Sequence, residues 1–136
     1  MNAATFVEDL KTQVFCRLGV SSIHGVGVFA IRPIPKGINP MRGREYEFLP
    51  VPVSQIKHDR HIPDTVKKLV VDMCPEEDGV YYCPPFSLNE ISIAWYLNHS
   101  KNPNMQEKDG DFFAMRDIAE GEELTVDYGT YGELNL

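Results

Sequence analysis

Short apolar and polar stretches alternate along the first third of the chain. Residues 13–18 (QVFCRL) alternate loosely between the two classes and predict a strand. Residues 25–32 (GVGVFAIR) predict a turn that opens a second strand, and the IPKG stretch that follows predicts another turn, which ends at Gly37. Residues 38–52 contain three Pro and show no clear period. This part therefore predicts two strands followed by an irregular connection.

A helical period begins after this connection. Pro63 lies near its start, and the apolar positions then recur at i, i+3, i+4 and i+7, on one face of a helix: Val66, Leu69, Val70 and Met73. Residues 80–83 (VYYC) predict a short strand before a Pro-Pro pair.

Residues 87–100 (SLNEISIAWYLNHS) predict a second helix. Ser87 is followed three positions later by Glu90, which is the pattern of a capping box at a helix start. On this interpretation Asn98 and His99 lie at the C-terminal end of the helix, directly after an apolar segment. Two hydrogen-bonding side chains in that place need an explanation.

The last part of the chain predicts β structure again. A strand is expected after Pro103-Asn104, and DFFAMRDI (111–118) and ELTVDYG (123–129) predict two more β segments around a turn at Gly121. The ten Pro and ten Gly also favour many turns and short elements, as in a β-rich fold.

Length and charge limit the class of protein. A chain of 136 residues suits one domain with a core of its own. Its net charge is −7, from 20 acidic and 13 basic residues, which disfavours binding to nucleic acid or to an anionic membrane. A basic partner, such as a Lys-rich peptide, would be attracted.

Cysteine and histidine give little support for a disulfide framework or a metal site. The three Cys (Cys16, Cys74 and Cys83) are odd in number and widely spaced, and no C-x-x-C or H-E-x-x-H pattern occurs. His58 and His61 are three residues apart, but a solvated helix face explains them better than a metal does. With no apolar run of ~20 residues and no leader pattern, we expect an intracellular, reducing location.

Three short motifs follow one another along the chain. They are HGVGVFA (24–30), YLNHSKNPN (96–104) and GEELTVDYG (121–129). Each alone is ordinary, since a G-x-G between strands is usually a tight turn and lacks here the βαβ setting of a dinucleotide site. In this order they resemble the SET-domain family of protein lysine methyltransferases. Residues 38–86 correspond to the family's variable insert.

The resemblance implies both a fold and a cofactor. The fold would be mainly β with short helices, a β-clip-like set of small curved sheets forming a single SET domain over residues 1–136. Its C-terminal segment would pass under a loop near the NHS triplet in a knot-like crossing, which is rare among folds. The cofactor would be S-adenosylmethionine.

The resemblance also implies roles for single residues. Asn98 would bind the methionine part of the cofactor, and the backbone of His99 would hold its adenine. The turn of Gly25, Val26 and Gly27 would approach the cofactor closely, which a Cβ would hinder.

Tyr128 would be the catalytic tyrosine and would also contact the cofactor. Its hydroxyl would orient the substrate amine and place partial negative charge near the cation. General-base action is less favoured, because an ordinary tyrosine pKa is near ~10.

The chain also departs from the family's pattern. Many SET domains carry a zinc-binding Cys directly after NHS and a Cys-rich tail, whereas here Lys101 follows and residues 129–136 contain no Cys. We therefore expect no such zinc and one missing wall of the substrate channel. Either Tyr131 or a second subunit could supply that wall. We favour the second subunit, which predicts a homodimer. Glu107 could contact the substrate ammonium, although a surface role is the alternative.

Two functions remain open from the sequence. The first is an S-adenosylmethionine-dependent protein-lysine N-methyltransferase acting on a basic protein or peptide. The second is a non-catalytic SET-fold module that binds the cofactor or a Lys-rich peptide. Neither needs nucleic acid or a membrane. We expect a cytoplasmic or nuclear location, with chromatin or a host cell left open.

Overall fold

The computed structural model describes residues 1–131, and of Tyr131 it describes the backbone only. The described strands are β1 (Cys16–Val20), β2 (Val26–Ala30), β3 (Leu49–Pro52), β4 (Glu76–Glu77), β5 (Val80–Cys83), β6 (Asn98–His99), β7 (Met105–Lys108), β8 (Asp111–Ala114) and β9 (Glu123–Val126). The described α-helices are α1 (Ala3–Thr12), α2 (Val53–Lys57), α3 (Asp64–Met73) and α4 (Tyr128–Tyr131). Short 3₁₀ helices lie at Leu88–Glu90 and Ile93–Tyr96.

The chain forms two compact units. One consists of residues 1–43 together with the chain from residue 92 onward, and the other of residues 44–91. The second unit overlaps most of the predicted insert, residues 38–86. The single-domain organisation stays a prediction.

A four-stranded sheet organises the first unit, in the order β1-β2-β9-β6. β1 and β2 form an antiparallel hairpin, and β2 pairs antiparallel with β9 through Val28 and Leu124. β6 pairs with the other edge of β9 in parallel, with Asn98 opposite Thr125. Since strand partners run side by side, this order brings the NHS segment against the segment that leads to Tyr128.

The core of the first unit packs against this sheet. All of β9 from Leu124 to Val126 is buried, as expected for a central strand covered on both faces. Ile34 and Ile118 exchange backbone hydrogen bonds of 2.8 Å and are each 1% exposed. The buried apolar side chains come from strands and loops alike: Phe15, Cys16, Val28, Ala30, Ile34, Leu97, Met105, Ala114, Ile118, Leu124 and Val126.

The second unit has its own small core. A three-stranded sheet, β3-β5-β4, accompanies α2 and α3, and the buried cluster is formed by Val70, Cys74 and Tyr81. The predicted helix after Pro63 is confirmed as α3, and the predicted VYYC strand is confirmed as β5. Asp78 and Gly79 both have positive φ and join β4 to β5 in a tight turn.

The predicted helix over residues 87–100 is wrong. The Ser87 hydroxyl does accept from the Asn89 N–H at 3.2 Å, but it begins a 3₁₀ turn of three residues. Ile91 is then extended, with ψ of 144°, and a second 3₁₀ helix ends before Leu97. Asn98 and His99 therefore lie in strand β6, not at a helix end, because pairing with β9 outweighs the local helical pattern.

Smaller differences occur elsewhere. The predicted strand at 13–18 begins at Cys16, and part of the predicted irregular connection is strand β3. Helix α1 was not predicted. His58 and His61 lie in the turn after α2, so they are exposed but not on a helix face. The predicted β segments at 111–118 and 123–129 are confirmed as β8 and β9.

The architecture confirms the expected set of small sheets with short helices. The two strands that a knot-like crossing would bring together, β6 and β9, do lie side by side. The threading itself stays a prediction. In residues 1–131, no helix combines the length and apolar character needed to cross a bilayer.

Candidate functional site

Asn98 joins the NHS segment to the G-x-G turn. Its side chain is buried at 7% exposure, and its amide nitrogen lies 3.1 Å from the His24 carbonyl oxygen and 3.2 Å from that of Val26. The same nitrogen lies 2.9 Å from a carboxylate oxygen of Glu123. An amide has two hydrogens, so the three acceptors share them. All three motifs that were recognised in the sequence thus meet at the Asn98 side chain.

Glu123 connects this contact to the base of the turn. The Ser21 hydroxyl donates to the Glu123 carboxylate, with O···O distances of 2.7 and 2.9 Å. The oxygen of Ser21 also accepts from the Ile23 N–H at 2.9 Å, and the Ser21 N–H donates to the Gly25 carbonyl at 2.8 Å. Sequence reasoning missed both residues. Glu123 lies inside the third motif, whereas no pattern in the sequence marks Ser21.

The two glycines of the turn have different surroundings. A Cβ on Gly27 would lie 2.9 Å from the carboxyl carbon of Glu123 and 3.1 Å from the Asn98 amide nitrogen, closer than side chains tolerate. A side chain at Gly27 would therefore have to displace the Glu123 carboxylate from its place beside Asn98. Gly25 has φ of +48°, and apart from its chain neighbours a Cβ there would meet no atom of the described residues 1–131 within 4 Å. The open side of the turn is at Gly25, next to Val26.

His99 positions the backbone of Tyr128. The Tyr128 N–H donates to Nδ1 of His99 at 3.0 Å, and Asp127 Oδ1 lies 3.7 Å from the same nitrogen. Because Nδ1 accepts this bond, it carries no proton here, and the ring hydrogen belongs on Nε2. His99 and Asp127 are thus not an ion pair in this arrangement. The sequence-based role for His99 concerned its backbone, so its side chain adds a second function.

Tyr128 lies next to the same strand. Its hydroxyl donates to the Leu97 carbonyl, and its ring centroid is 5.2 Å from that of His99. The residue as a whole is 45% exposed, so it borders solvent. Burial of the rest raises the pKa of Tyr128 above its usual value. The phenol is therefore neutral near pH 7 and suits a hydrogen-bonding role rather than a general base.

The Asn104 side chain forms hydrogen bonds with the backbone of β9. Its amide nitrogen donates to the Glu123 carbonyl, and its amide oxygen accepts from the Thr125 N–H, both at 2.9 Å. These bonds satisfy backbone groups that would otherwise be buried without partners. Asn104 was quoted within the second motif but had no predicted role, and the structure gives it a supporting one.

No described contact joins the predicted channel residues, Glu107 and Tyr131, to Asn98, His99 or Tyr128. Glu107 lies in β7, and its carboxylate accepts from the Gly110 N–H at 2.7 Å. It closes the β7–β8 hairpin, in which Asp109 and Gly110 both have positive φ. Its contact with a substrate stays a prediction. The side chain of Tyr131 lies outside the described part of the chain.

Two open grooves of the first unit lie elsewhere, near the β7–β8 hairpin. Their volumes are about 490 and 380 Å³, and they share Gly37 and Phe113 in their walls. Neither is lined by Asn98, His99 or Tyr128. Among residues 1–131, no three His, Cys, Asp or Glu side chains are grouped as metal ligands. The expected absence of zinc stays a prediction.

Comparison with known proteins shows which family this chain resembles. The SET-domain family model matches residues 25–129. A candidate histone methyltransferase of Plasmodium falciparum is 21% identical with a TM-score of 0.49, and the alignment covers 86% of this chain and 95% of that one. No curated protein matches the sequence.

Two structures of the Polycomb Repressive Complex 2 of Chaetomium thermophilum are also similar. A humanized mutant bound to an inhibitor is 19% identical and an autoinhibited form bound to S-adenosylmethionine is 22% identical, each with a TM-score of 0.51. Each alignment covers 87% of this chain but 15% of the other, so the chain spans a small part of those proteins. At this identity the likeness shows the fold alone.

The family match includes the first motif from Gly25 onward, the whole of the other two motifs and both strands of the β6–β9 pair. With the match extending over residues 25–129, the chain belongs to the SET-domain family and has the SET methyltransferase fold.

Proposed function

We propose that this protein is an S-adenosylmethionine-dependent protein-lysine N-methyltransferase. The observation that carries the proposal is the meeting of the three motifs around β6 and β9. Asn98 bonds to the turn that contains Gly25, and the Tyr128 hydroxyl bonds to the Leu97 carbonyl, directly before Asn98. A packing tyrosine and a polar cap would not need to converge in this way.

The residues around the turn fit the proposed cofactor. Among residues 1–131, Gly25 leaves open space on the outer side of the turn, and its φ of +48° is a conformation that side-chain-bearing residues rarely adopt. Glu123 and Asp127 place carboxylates near the site, which favours a cationic ligand. When bound, S-adenosylmethionine supplies a methyl group on a positively charged sulfur.

In this proposal Asn98 acts through the shape of the turn. Its amide hydrogens are directed at the His24 and Val26 carbonyls and at Glu123, so it holds the backbone that would face the cofactor. The methionine contact expected from the family resemblance would then involve the amide oxygen. Asn98 thus has a positioning role as well as the proposed binding role.

Tyr128 is the proposed catalytic residue. A lysine amine has a pKa near ~10.4, so freeing it of its proton at pH 7 costs roughly 4–5 kcal/mol. The neutral phenol of Tyr128 does not need to remove that proton. Its oxygen can accept a hydrogen bond from an amine N–H, and this bond would align the amine for transfer. The hydrogen bond from the Tyr128 N–H to His99 holds the backbone from which the Tyr128 ring projects.

The proposed substrate is a basic segment of a protein. The net charge of −7 attracts Lys-rich peptides and repels nucleic acid. Glu107 is the proposed contact for the substrate ammonium, at the hairpin that it also stabilises.

Substitution of Tyr128 by Phe tests the proposal. The ring contact with His99 stays, while the hydroxyl contact with Leu97 is lost. Methyl transfer from labelled cofactor to proteins of a cell lysate should fall by about a hundredfold or more, the scale of one preorganised transition-state contact. Cofactor affinity, measured by calorimetry, should change little.

Tyr82→Phe is the matched control. It removes one hydroxyl from strand β5, and no described hydrogen bond links that hydroxyl to Asn98, His99 or Tyr128, so methyl transfer should remain at the wild-type rate. Transfer by Tyr128→Phe at the wild-type rate would show that Tyr128 is not the catalytic residue.

A non-catalytic module is the second candidate, favoured by one observation. The Asn98 amide hydrogens and the Tyr128 hydroxyl hydrogen are all directed at protein acceptors. If wild-type protein binds S-adenosylmethionine but labels no lysate protein and no Lys-rich peptide, this second function replaces the first.

A further inference from the structure

The β4–β5 hairpin continues beyond the two strands that define it. β4 and β5 pair antiparallel around a two-residue turn. One step past the end of β4, the Tyr82 N–H donates to the Pro75 carbonyl at 2.9 Å. The next step in the same register brings Cys74 opposite Cys83. Cys74 is extended, with φ of −101° and ψ of 124°, so the chain is still strand-like there.

This register gives the two cysteines a specific geometry. Hydrogen-bonded and non-hydrogen-bonded pairs alternate along an antiparallel ladder. Since Pro75 and Tyr82 form a bonded position, Cys74 and Cys83 occupy a non-bonded one. There the Cα atoms lie about 4.5 Å apart and the side chains are on one face, which is within the about 4.4–6.8 Å that a disulfide spans.

The thiols are in contact in the reduced protein. Burial, and after it the neighbouring Cys83 with its side-chain hydrogen bond, raises the pKa of the Cys74 thiol to about 12. Cys74 is 4% exposed, whereas Cys83 is only partly buried. Cys83 is therefore the thiol that a reagent in solution reaches first. Cys16, the third cysteine, is buried in the core of the other unit.

We propose that Cys74 and Cys83 form a redox-active dithiol whose reaction partner is a small-molecule disulfide of the glutathione class. The Cys83 thiolate attacks one sulfur of that disulfide, forming a mixed disulfide and releasing one thiol. Cys74 loses its proton to solvent and attacks the Cys83 sulfur, forming the Cys74–Cys83 bond and releasing the second thiol. Two protein thiols are oxidised and one disulfide is reduced to two thiols.

The dithiol uses none of the residues proposed for methyl transfer. The sequence alone argued against a disulfide framework, because the cysteine count is odd and the three residues are widely spaced. The hairpin turn at Asp78 and Gly79 removes that separation, since it folds one half of the segment back onto the other.

Thiol counting on the native protein tests the proposal. The protein is incubated with oxidised glutathione, and the reaction is quenched in acid. Its free thiols are then alkylated after unfolding, and the mass of the intact protein is measured by mass spectrometry. Wild-type protein should lose two of its three alkylatable thiols without keeping a glutathione adduct. Peptide mapping should find Cys74 linked to Cys83. Three alkylatable thiols, or a bond that includes Cys16, would overturn the proposal.

Two variants separate the steps. In Cys74→Ala, Cys83 should accumulate as a stable mixed disulfide, because the second thiol is missing. In Cys16→Ser, the Cys74–Cys83 bond should form as in wild type. If Cys74→Ala fails to fold, the wild-type peptide map alone still decides, since it requires no substitution. A Cys74→Ala protein that is folded and acquires no adduct would contradict the role of Cys83.

Discussion

At the scale of single residues, Glu123 links the turn, the NHS strand and β9. Its carboxylate bonds to Asn98 and Ser21, and its backbone carbonyl accepts from Asn104. Gly27 is compatible with this carboxylate because it has no Cβ. The open turn that the proposed cofactor would meet therefore depends on a residue to which the family resemblance assigned no role.

Replacement of Glu123 by Ala should weaken cofactor binding. It removes hydrogen bonds of a charged group to Asn98 and Ser21, and bonds of this kind contribute about 1.5–3 kcal/mol. Affinity for S-adenosylmethionine in calorimetry should fall by roughly tenfold or more. Glu120→Ala, at an exposed position of the same acidic stretch, is the control and should bind as wild type. Equal affinity of both variants would remove Glu123 from the site.

The residues that sequence reasoning found and missed differ in a physical way. Asn98, His99 and Tyr128 belong to motifs whose order along the chain is informative by itself. Ser21 and Asn104 act through hydrogen bonds to residues far away in sequence, and such partners depend on strand pairing. Nothing in the local pattern around either residue indicates which group it will meet.

At the scale of elements, a substitution in the β7–β8 hairpin can distinguish the structural role of Glu107 from its proposed contact with the substrate. Glu107→Gln keeps an oxygen that can accept from the Gly110 N–H, so the turn should keep its stability in thermal unfolding. The change removes the charge proposed to attract the substrate ammonium. KM for a Lys-rich peptide should rise several-fold with little change in kcat, because binding is weakened without altering the transfer step.

Lys108→Gln is a suitable control in the same hairpin, since it changes charge without touching that turn contact. If Glu107→Gln leaves KM unchanged, Glu107 has only the structural role seen in the hairpin.

Elements with strong local signals were predictable and elements with tertiary causes were not. Helix α3 follows from its apolar spacing after Pro63, and β2 from the strand after the G-x-G turn. The segment from Ser87 carries a helix-start pattern, yet β9 recruits Asn98 and His99 into a parallel pair. Intrinsic propensity is a weak determinant where a buried strand needs a partner. Both Asp-Gly hairpin turns were readable signals that the sequence interpretation did not use.

At the scale of the whole molecule, two buried thiols predict how stability changes in alkali. Burial raises the pKa of Cys16 to about 12, from an ordinary value of 9.0, and that of Cys74 equally far. Between about pH 9 and 12 the unfolded chain releases these protons while the folded chain keeps them. Stability is therefore full below about pH 9 and falls by up to about 1.4 kcal/mol per pH unit for each thiol.

Denaturant unfolding at about pH 8 and about pH 10.5 measures this loss. Tyrosine and lysine also titrate in this range, so the informative quantity is the difference between wild type and Cys16→Ala. The variant starts from lower stability, because a buried side chain is shortened, but should lose less on going to high pH. Parallel losses in the two proteins would show that Cys16 is not protected from ionisation by burial.

Two properties of the whole protein stay predictions. A homodimer was expected from the sequence, and light scattering at the assay concentration checks it. The cytoplasmic or nuclear location is checked by imaging a tagged copy in its own cells.

The pairing of β2 with β9 also determines when the site can form. Val28 and Leu124 are partners although roughly a hundred residues separate them, whereas β1–β2, β4–β5 and β7–β8 are local hairpins. Non-local pairs form slowly, because the intervening chain must close a long loop first. A chain emerging from the ribosome can form each hairpin as soon as its two strands have emerged. Asn98 can form its hydrogen bond with Glu123 only when β9 has emerged. The site therefore becomes able to bind a ligand only after β9 has been synthesised, later than the three hairpins.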